Sequence, residues 1–141
     1  LTDIEDKSHD NMSNLMYFTT GIKRTIKALR DLGKKVVIVN QVPEVGYDVP
    51  AVNFIAKISS RDTNALIAPT VYEYKNRISP LTSAFASLDD FADFTIVDPS
   101  EYLCGKEYCN AVTNGYELYR DEDHLSTYGS RVVSPIFDSV F

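Results

Sequence analysis

Apolar side chains return every three or four positions at Leu15, Phe18, Ile22, Ile26, Leu29 and Leu32, with Lys23, Arg24, Lys27 and Arg30 set between them. That period predicts a helix with one apolar face. Asn11 or Ser13 suits its N-cap, and Gly33 suits the left-handed position past its end. Residues 1–13 are polar, without a period, and read as an irregular lead-in. The pattern then changes to a short unbroken β-branched run, Val36-Val37-Ile38-Val39-Asn40, with a second at Phe94-Thr95-Ile96-Val97-Asp98. Runs of this kind predict strands buried on both faces of a parallel sheet.

Between the strands, residues 41–50 (QVPEVGYDVP) read as a loop leaving the carboxyl end of the first strand. Open α/β sheets hold ligands at that place. A short helix is predicted over 51–58 with Pro50 near its first position. Residues 59–68 fit no single period. A helix is predicted from about residue 69 to 78, broken at Pro80, with a second piece to about Phe91. Pro99 to Leu103 suits one helical turn, residues 117–120 an extended piece, and the stretch from Thr127 a closing helix. Val132, Val133, Ile136, Phe137 and Val140 share a face of that helix, against the objection of Pro135 inside it. Helices alternating with buried strands predict a three-layer α/β fold. Two strands are few for such a sheet. The 141 residues therefore read as a single domain fragment, the C-terminal portion of a larger α/β domain. A first residue of Leu1 rather than Met fits excision from a longer chain.

Composition narrows the function. Acidic residues outnumber basic ones by 20 to 14, and no basic cluster stands out. Binding to a nucleic-acid backbone is therefore not expected. No apolar run approaches the roughly 20 residues of a membrane span. Cys104 and Cys109 are the two cysteines; by spacing they could close a tight loop, supply half a zinc site or stay as thiols. The two histidines, His9 and His124, pair with neither cysteine in sequence, so no metal is expected, and no cofactor either.

The candidate chemistry lies in Asp121-Glu122-Asp123-His124-Leu125-Ser126. An Asp three residues before a His, on a turn, sets a carboxylate against the imidazole ring. Catalytic bases of Ser-His-Asp hydrolases need that support, so that the other ring nitrogen faces the nucleophile. A capping or surface histidine in an acidic turn is the competing reading. Asp123, adjacent to His124, points elsewhere on most turns and is the weaker candidate acid. A calcium loop fails because Ser126 stands at its sixth position, where Gly is needed, and no Glu closes it. Ser126 suits an N-cap better than a nucleophile. No Gly-Asp-Ser and no Gly-x-Ser-x-Gly occurs in the chain. Asn40 and Gln41 at the strand end, and Tyr47 in the loop, are candidate substrate-binding residues: Tyr47 could stack on a sugar ring or equally be ordinary packing, and the two amides could line the pocket or equally satisfy loop backbone.

Three blocks, in order, resemble one family: residues 34–44 (KKVVIVNQVPE), Cys104 with Cys109, and residues 118–129 (LYRDEDHLSTYG). Together they look like the C-terminal part of the SGNH domain fused to family-3 membrane acyltransferases, over roughly residues 15–141. The Tyr-x-Asp-x-x-His-Leu-Ser element is the specific part. The resemblance implies an SGNH-type parallel sheet flanked by helices. It also implies O-acetylation of cell-envelope polysaccharide such as lipopolysaccharide O-antigen. Asp121 and His124 would be the catalytic acid and base, and the nucleophilic Ser would sit in an upstream block outside this chain. The partners it implies are that upstream segment, an integral-membrane acyltransferase domain and a carbohydrate acceptor. The implied location is the periplasmic side of a bacterial inner membrane, an oxidising compartment in which Cys104 and Cys109 would be disulfide-bonded. A non-catalytic carbohydrate-binding or structural module and a cytosolic lipase-like hydrolase are the other readings.

Overall fold

The computed structural model describes residues 7–88, 94–138 and 140, with 7–13 as backbone alone. The elements are α1 (Lys7–Asp31), β1 (Val37–Val39), α2 (Val49–Ile58), α3 (Thr63–Ile67), α4 (Val71–Ala86), β2 (Thr95–Val97), α5 (Ser100–Leu103), β3 (Val112–Thr113), β4 (Tyr116–Glu117) and α6 (Thr127–Val133), followed by a 3-10 turn over Ser134–Phe137. This is a mixed α/β chain. Its described residues form two compact units, one from the chain up to residue 37 and from 78–95, the other from 38–77 and 96–141. Among the described residues no helix is long and apolar enough to cross a membrane.

In the first unit α1 starts at Lys7, so residues 7–13 are helical rather than irregular, and Asn11 and Ser13 lie inside the helix instead of capping it. Extending a formed helix costs little per residue, so a polar stretch without its own period can join one. The expected end holds: Gly33 has φ +70°, its N–H donates to Arg30 O and the N–H of Lys34 to Leu29 O. This is a Schellman motif. Of the predicted apolar face only Ile26 is buried; Leu15 and Ile22 are half-buried, and Phe18, Leu29 and Leu32 are exposed. The Phe18 ring meets that of Phe85 at 6.2 Å.

The helix α4 does not break at Pro80 but runs through it. A proline removes one backbone bond, and the flanking turns can hold the helix across it. Here the hydroxyls of Thr82 and Ser83 also bond to the carbonyls of Ile78 and Ser79 one turn back. The predicted extension to Phe91 falls partly on residues 89–93, outside the described residues.

The strands β1 and β2 pair in a two-stranded sheet. Thr95 N donates to Val36 O and Asn40 N to Val97 O, so both strands rise together, as parallel strands do. Burial on both faces is not what the structure shows. Val97 is buried, but Val39, Thr95 and Ile96 are exposed. Strands with a single neighbour are not enclosed as central strands are.

The second unit carries the larger core, formed by Val45, Val49, Ile67, Leu103, Ala111, Leu118, Tyr119 and Val133. Asp48 caps α2 by accepting from Ala51 N, with Pro50 in the first turn. The ambiguous stretch after α2 holds α3, capped by Asp62. At Asn114-Gly115 both residues take positive φ and close the antiparallel hairpin of β3 and β4. Asn-Gly is the sequence signal of such a turn. The closing helix turns into a 3-10 turn at Ser134, one residue before Pro135, which accommodates the missing N–H.

Cys104 and Cys109 form a disulfide. Its loop docks on the segment leading into α4: Cys109 N donates to Pro69 O, and Val71 N to Glu107 O. Replacing both cysteines by serine is expected to cost about 2 kcal/mol, the chain-entropy value for so short a loop. Urea unfolding of the two proteins side by side measures it. An unchanged midpoint would show that backbone docking alone holds the loop.

Candidate active site

The second unit places the Asp121–His124 turn between the hairpin and α6. Tyr119 and Leu125 form an isolated bridge, and Arg120 N donates to His124 O at 2.9 Å. The loop between β1 and α2 is sewn to the same turn: Val45 N and Gly46 N donate to Glu122 O, and Val49 N to Asp121 O. Behind the turn, Ser126 caps α6 as expected. Its hydroxyl accepts from Gly129 N at 3.0 Å and donates to Glu117 O at 2.7 Å.

Asp121 and His124 meet. His124 Nδ1 lies 3.1 Å from Asp121 Oδ1 and 3.0 Å from Oδ2. Asp121 Oδ1 also accepts from His124 N at 2.8 Å and from Asp123 N at 3.1 Å. The His124 amide first, with the Asp123 amide and the imidazole adding to it, holds the Asp121 carboxyl down at about 2. It is a fixed anion across the working pH range. The ring of His124 is exposed, and its Nε2 has no partner among the described residues. With Nδ1–H donated to Asp121, Nε2 is left as a proton acceptor.

Asp123 does not point elsewhere. Its Oδ1 comes to 2.8 Å of His124 Nδ1, so the ring edge faces two carboxylates. The sharp turn that bonds Asp121 to the Asp123 and His124 amides brings both acids to one side. Asp121 is the one anchored by backbone N–H groups. Asp121, Asp123 and His124 also present ligand atoms within 4.8 Å of one another. That donor set could hold a metal ion, but the turn's own hydrogen bonds already use the same atoms as a carboxylate–imidazole pair.

The other candidate residues separate. Asn40 is occupied within the fold, its Nδ2 reaching Asp98 at 3.4 Å and its Oδ1 accepting from Gln41 N. Gln41 accepts through its carbonyl from the hydroxyl of Tyr74. Tyr47 lines a cleft of about 400 Å³, together with Glu44, Leu66, Glu73, Tyr74 and Arg77 among others. Glu44 and Arg77 form an ion pair there. Thr70 and Glu73 form a capping box at the start of α4: Glu73 accepts from Thr70 N and Oγ1, and its own N–H donates to Thr70 Oγ1. The bond from the Thr70 backbone, then that from its hydroxyl, keeps the Glu73 carboxyl below its usual range. Burial, with Asp98 beside it, pushes the Tyr74 phenol up to about 12. Sequence reasoning missed Glu44, Glu73, Tyr74 and Arg77. The capping-box spacing Thr70-x-x-Glu73 was the one available signal.

Tyr119, two residues before Asp121, is fully buried, and its hydroxyl has no hydrogen-bond partner among the described residues. Burial, with Tyr74 near it, pushes that phenol well up. An unpaired buried hydroxyl costs about 1–3 kcal/mol. Tyr119→Phe is therefore expected to stabilise the protein by about 1 kcal/mol in thermal unfolding. A destabilised variant would instead reveal a partner for the hydroxyl in solution.

A family model described as "SGNH domain (fused to AT3 domains)" matches residues 2–139. No curated protein sequence matches the chain. A solved structure, the periplasmic domain of a lipopolysaccharide acetyltransferase from Salmonella ser. Paratyphi A, superimposes with a TM-score of 0.60 at 19% identity. The match covers 94% of this chain and 50% of the other, so the chain spans about half the length of that domain. At this identity the likeness shows the fold.

Proposed function

The chain belongs to the SGNH domain family fused to AT3 domains, and on that premise we propose that it is part of an acyltransferase or esterase domain that moves acetyl groups to or from carbohydrate hydroxyls of cell-envelope polysaccharide. The observation that carries this reading is the His124 imidazole held at Nδ1 by the Asp121 carboxylate, 3.0 Å away, with Nε2 open. The lipopolysaccharide acetyltransferase among the structural relatives supports the substrate class. We further propose that the 141 residues form the C-terminal portion of a three-layer SGNH fold, and that an upstream segment supplies the nucleophilic serine, since neither serine motif occurs here. The domain would stand on the periplasmic side of the membrane, beside an acyltransferase domain embedded in it. The periplasmic location of the Salmonella relative and the disulfide support that placement.

The chemistry follows from the pair. The serine hydroxyl gives its proton to His124 Nε2 as its oxygen attacks the acetyl carbonyl. Asp121 stabilises the imidazolium that forms. The proton then goes to the leaving oxygen, and an acetyl-serine remains. In the second half, a sugar hydroxyl or water loses its proton to Nε2, attacks that ester and regenerates the serine.

The test uses the full-length protein. Incubation with an acetyl donor and rapid acid quenching, followed by peptide mass spectrometry, is expected to find one acetylated serine in a Gly-Asp-Ser block upstream of Leu1. An upstream sequence without such a block, and no acetyl-serine, would overturn this function and favour a non-catalytic carbohydrate-binding module.

A further inference from the structure

We propose that the cleft lined by Glu44, Tyr47, Glu73 and Arg77 is the subsite that holds the acceptor glycan, and that it selects neutral sugars over acidic ones. The proposal rests on the acetyl-transfer reading above for its role in the reaction, but not for its binding chemistry.

Four observations carry it. The cleft has about 400 Å³ of space, within the usual size of ligand pockets. Its wall is physically joined to the Asp121–His124 turn, because Val45 and Gly46, which precede Tyr47, donate their N–H groups to Glu122 O. A ligand in the cleft is thus held by the same loop that braces the base. Its polar groups are those a polyol needs. Carboxylates accept from sugar hydroxyls, a guanidinium donates to them, and the exposed ring of Tyr47 offers an apolar face for a sugar ring. Apolar Leu66, Ile67 and Pro69 complete the lining.

Charge sets the selectivity. Glu44 and Glu73 oppose the single guanidinium of Arg77, and Arg77 is already paired with Glu44. Glu73 is fixed by Thr70 in its ionised form. The cleft is therefore net negative, in a chain that carries a formal charge of −6. A uronic acid or phosphorylated sugar meets like charge there, while a neutral hexose or deoxyhexose does not.

The experiment measures binding by isothermal titration of the full-length protein. The probes are neutral trisaccharides of rhamnose, mannose and galactose, with trigalacturonate as the acidic counterpart. At least one neutral trisaccharide is expected to saturate at millimolar concentration, and trigalacturonate to bind roughly tenfold more weakly or not at all. Tyr47→Ala and Arg77→Ala are each expected to weaken the neutral ligand by roughly tenfold, with unchanged circular dichroism. In transfer assays the same variants raise the acceptor KM more than they lower kcat. Trigalacturonate binding as well as the neutral probes, no neutral probe binding, or both variants binding like the parent would each overturn the proposal. Because the readout is binding, the two readings fail separately. A protein that shows no acetyl chemistry yet binds a neutral trisaccharide through Tyr47 sinks the proposed function and supports the cleft.

Discussion

Replacing His124 by alanine in the full-length protein is expected to lower acetyl transfer by about three orders of magnitude or more, the effect of removing the base from a Ser-His-Asp relay. His124 is exposed and its ring bonds only within its own turn, so the variant should unfold at the parent's temperature. The partner acid is decided by two further substitutions. Asp121→Asn keeps the shape of the side chain but removes its charge and favours the wrong imidazole tautomer, for an expected loss of about 10⁴-fold in kcat. Asp123→Asn is expected to cost far less, because that carboxylate is not anchored by backbone N–H groups on the turn. Equal losses at the two positions would show that the imidazole is supported by the carboxylate pair, not by Asp121 alone. The pH dependence has a definite sign. The folded-state pKa of Asp121 is depressed from 3.8 to about 2. Its stabilising contribution is therefore fully present above the unfolded value and is lost as pH falls through about 2. Any acid loss of activity between pH 4 and 7 must come from another group, and Asp121→Asn should lower the plateau.

Gly129→Ala is expected to destabilise the protein by about 3 kcal/mol, at the upper end of overpacking costs. Glycine inside a helix ordinarily loses to alanine by about 0.5–1 kcal/mol, so the usual sign is reversed. The reason is backbone contact. A Cβ at Gly129 would press on the Leu118 carbonyl, lying 2.9 Å from its carbon and 3.2 Å from the Leu118 Cα. Leu118 O also accepts from Ser126 N, so the clash falls on the junction that caps α6 and delivers Tyr119 to Asp121. Activity should fall along with stability. Gly21, in the middle of α1, is the control. Nothing lies within 4 Å of its hypothetical Cβ, and Gly21→Ala is expected to stabilise by about 0.5–1 kcal/mol. Denaturant midpoints for the two variants check both signs, and a stable Gly129→Ala protein would show that α6 can move away from Leu118 without cost.

The difference between these two glycines marks where reading the chain alone stops. Features set by residues a few positions apart are legible without the fold. The β-branched runs at 36–39 and 94–98, the left-handed Gly33, Pro50 in a first helical turn, the Ser126 cap and the contact of Asp121 with His124 are all of this kind. Each depends on local sterics, or on one side chain reaching a backbone group or ring within the same turn. Local patterns also mislead where neighbours outweigh them. Polar residues 7–13 join α1 because extending a helix is cheap, α4 continues past Pro80 because its flanking turns hold, and Asp123 reaches His124 where the turn bonds its amide to Asp121. The cleft shared by Glu44, Tyr47, Glu73 and Arg77 lies beyond the reach of local reading altogether. Glu44 and Tyr47 come from the loop after β1, while Glu73 and Arg77 come from α4, some 30 positions on. No periodicity links them, and their meeting depends on how the loop after β1 and the start of α4 pack in the second unit. The chain's own order thus determined its strands, the Ser126 cap and the Asp121–His124 contact, all short-range matters of backbone and hydrogen bond. Which exposed side chains share a concave surface beside that pair was decided only by tertiary packing, since burial and charge in a cleft are properties of residues brought together from afar.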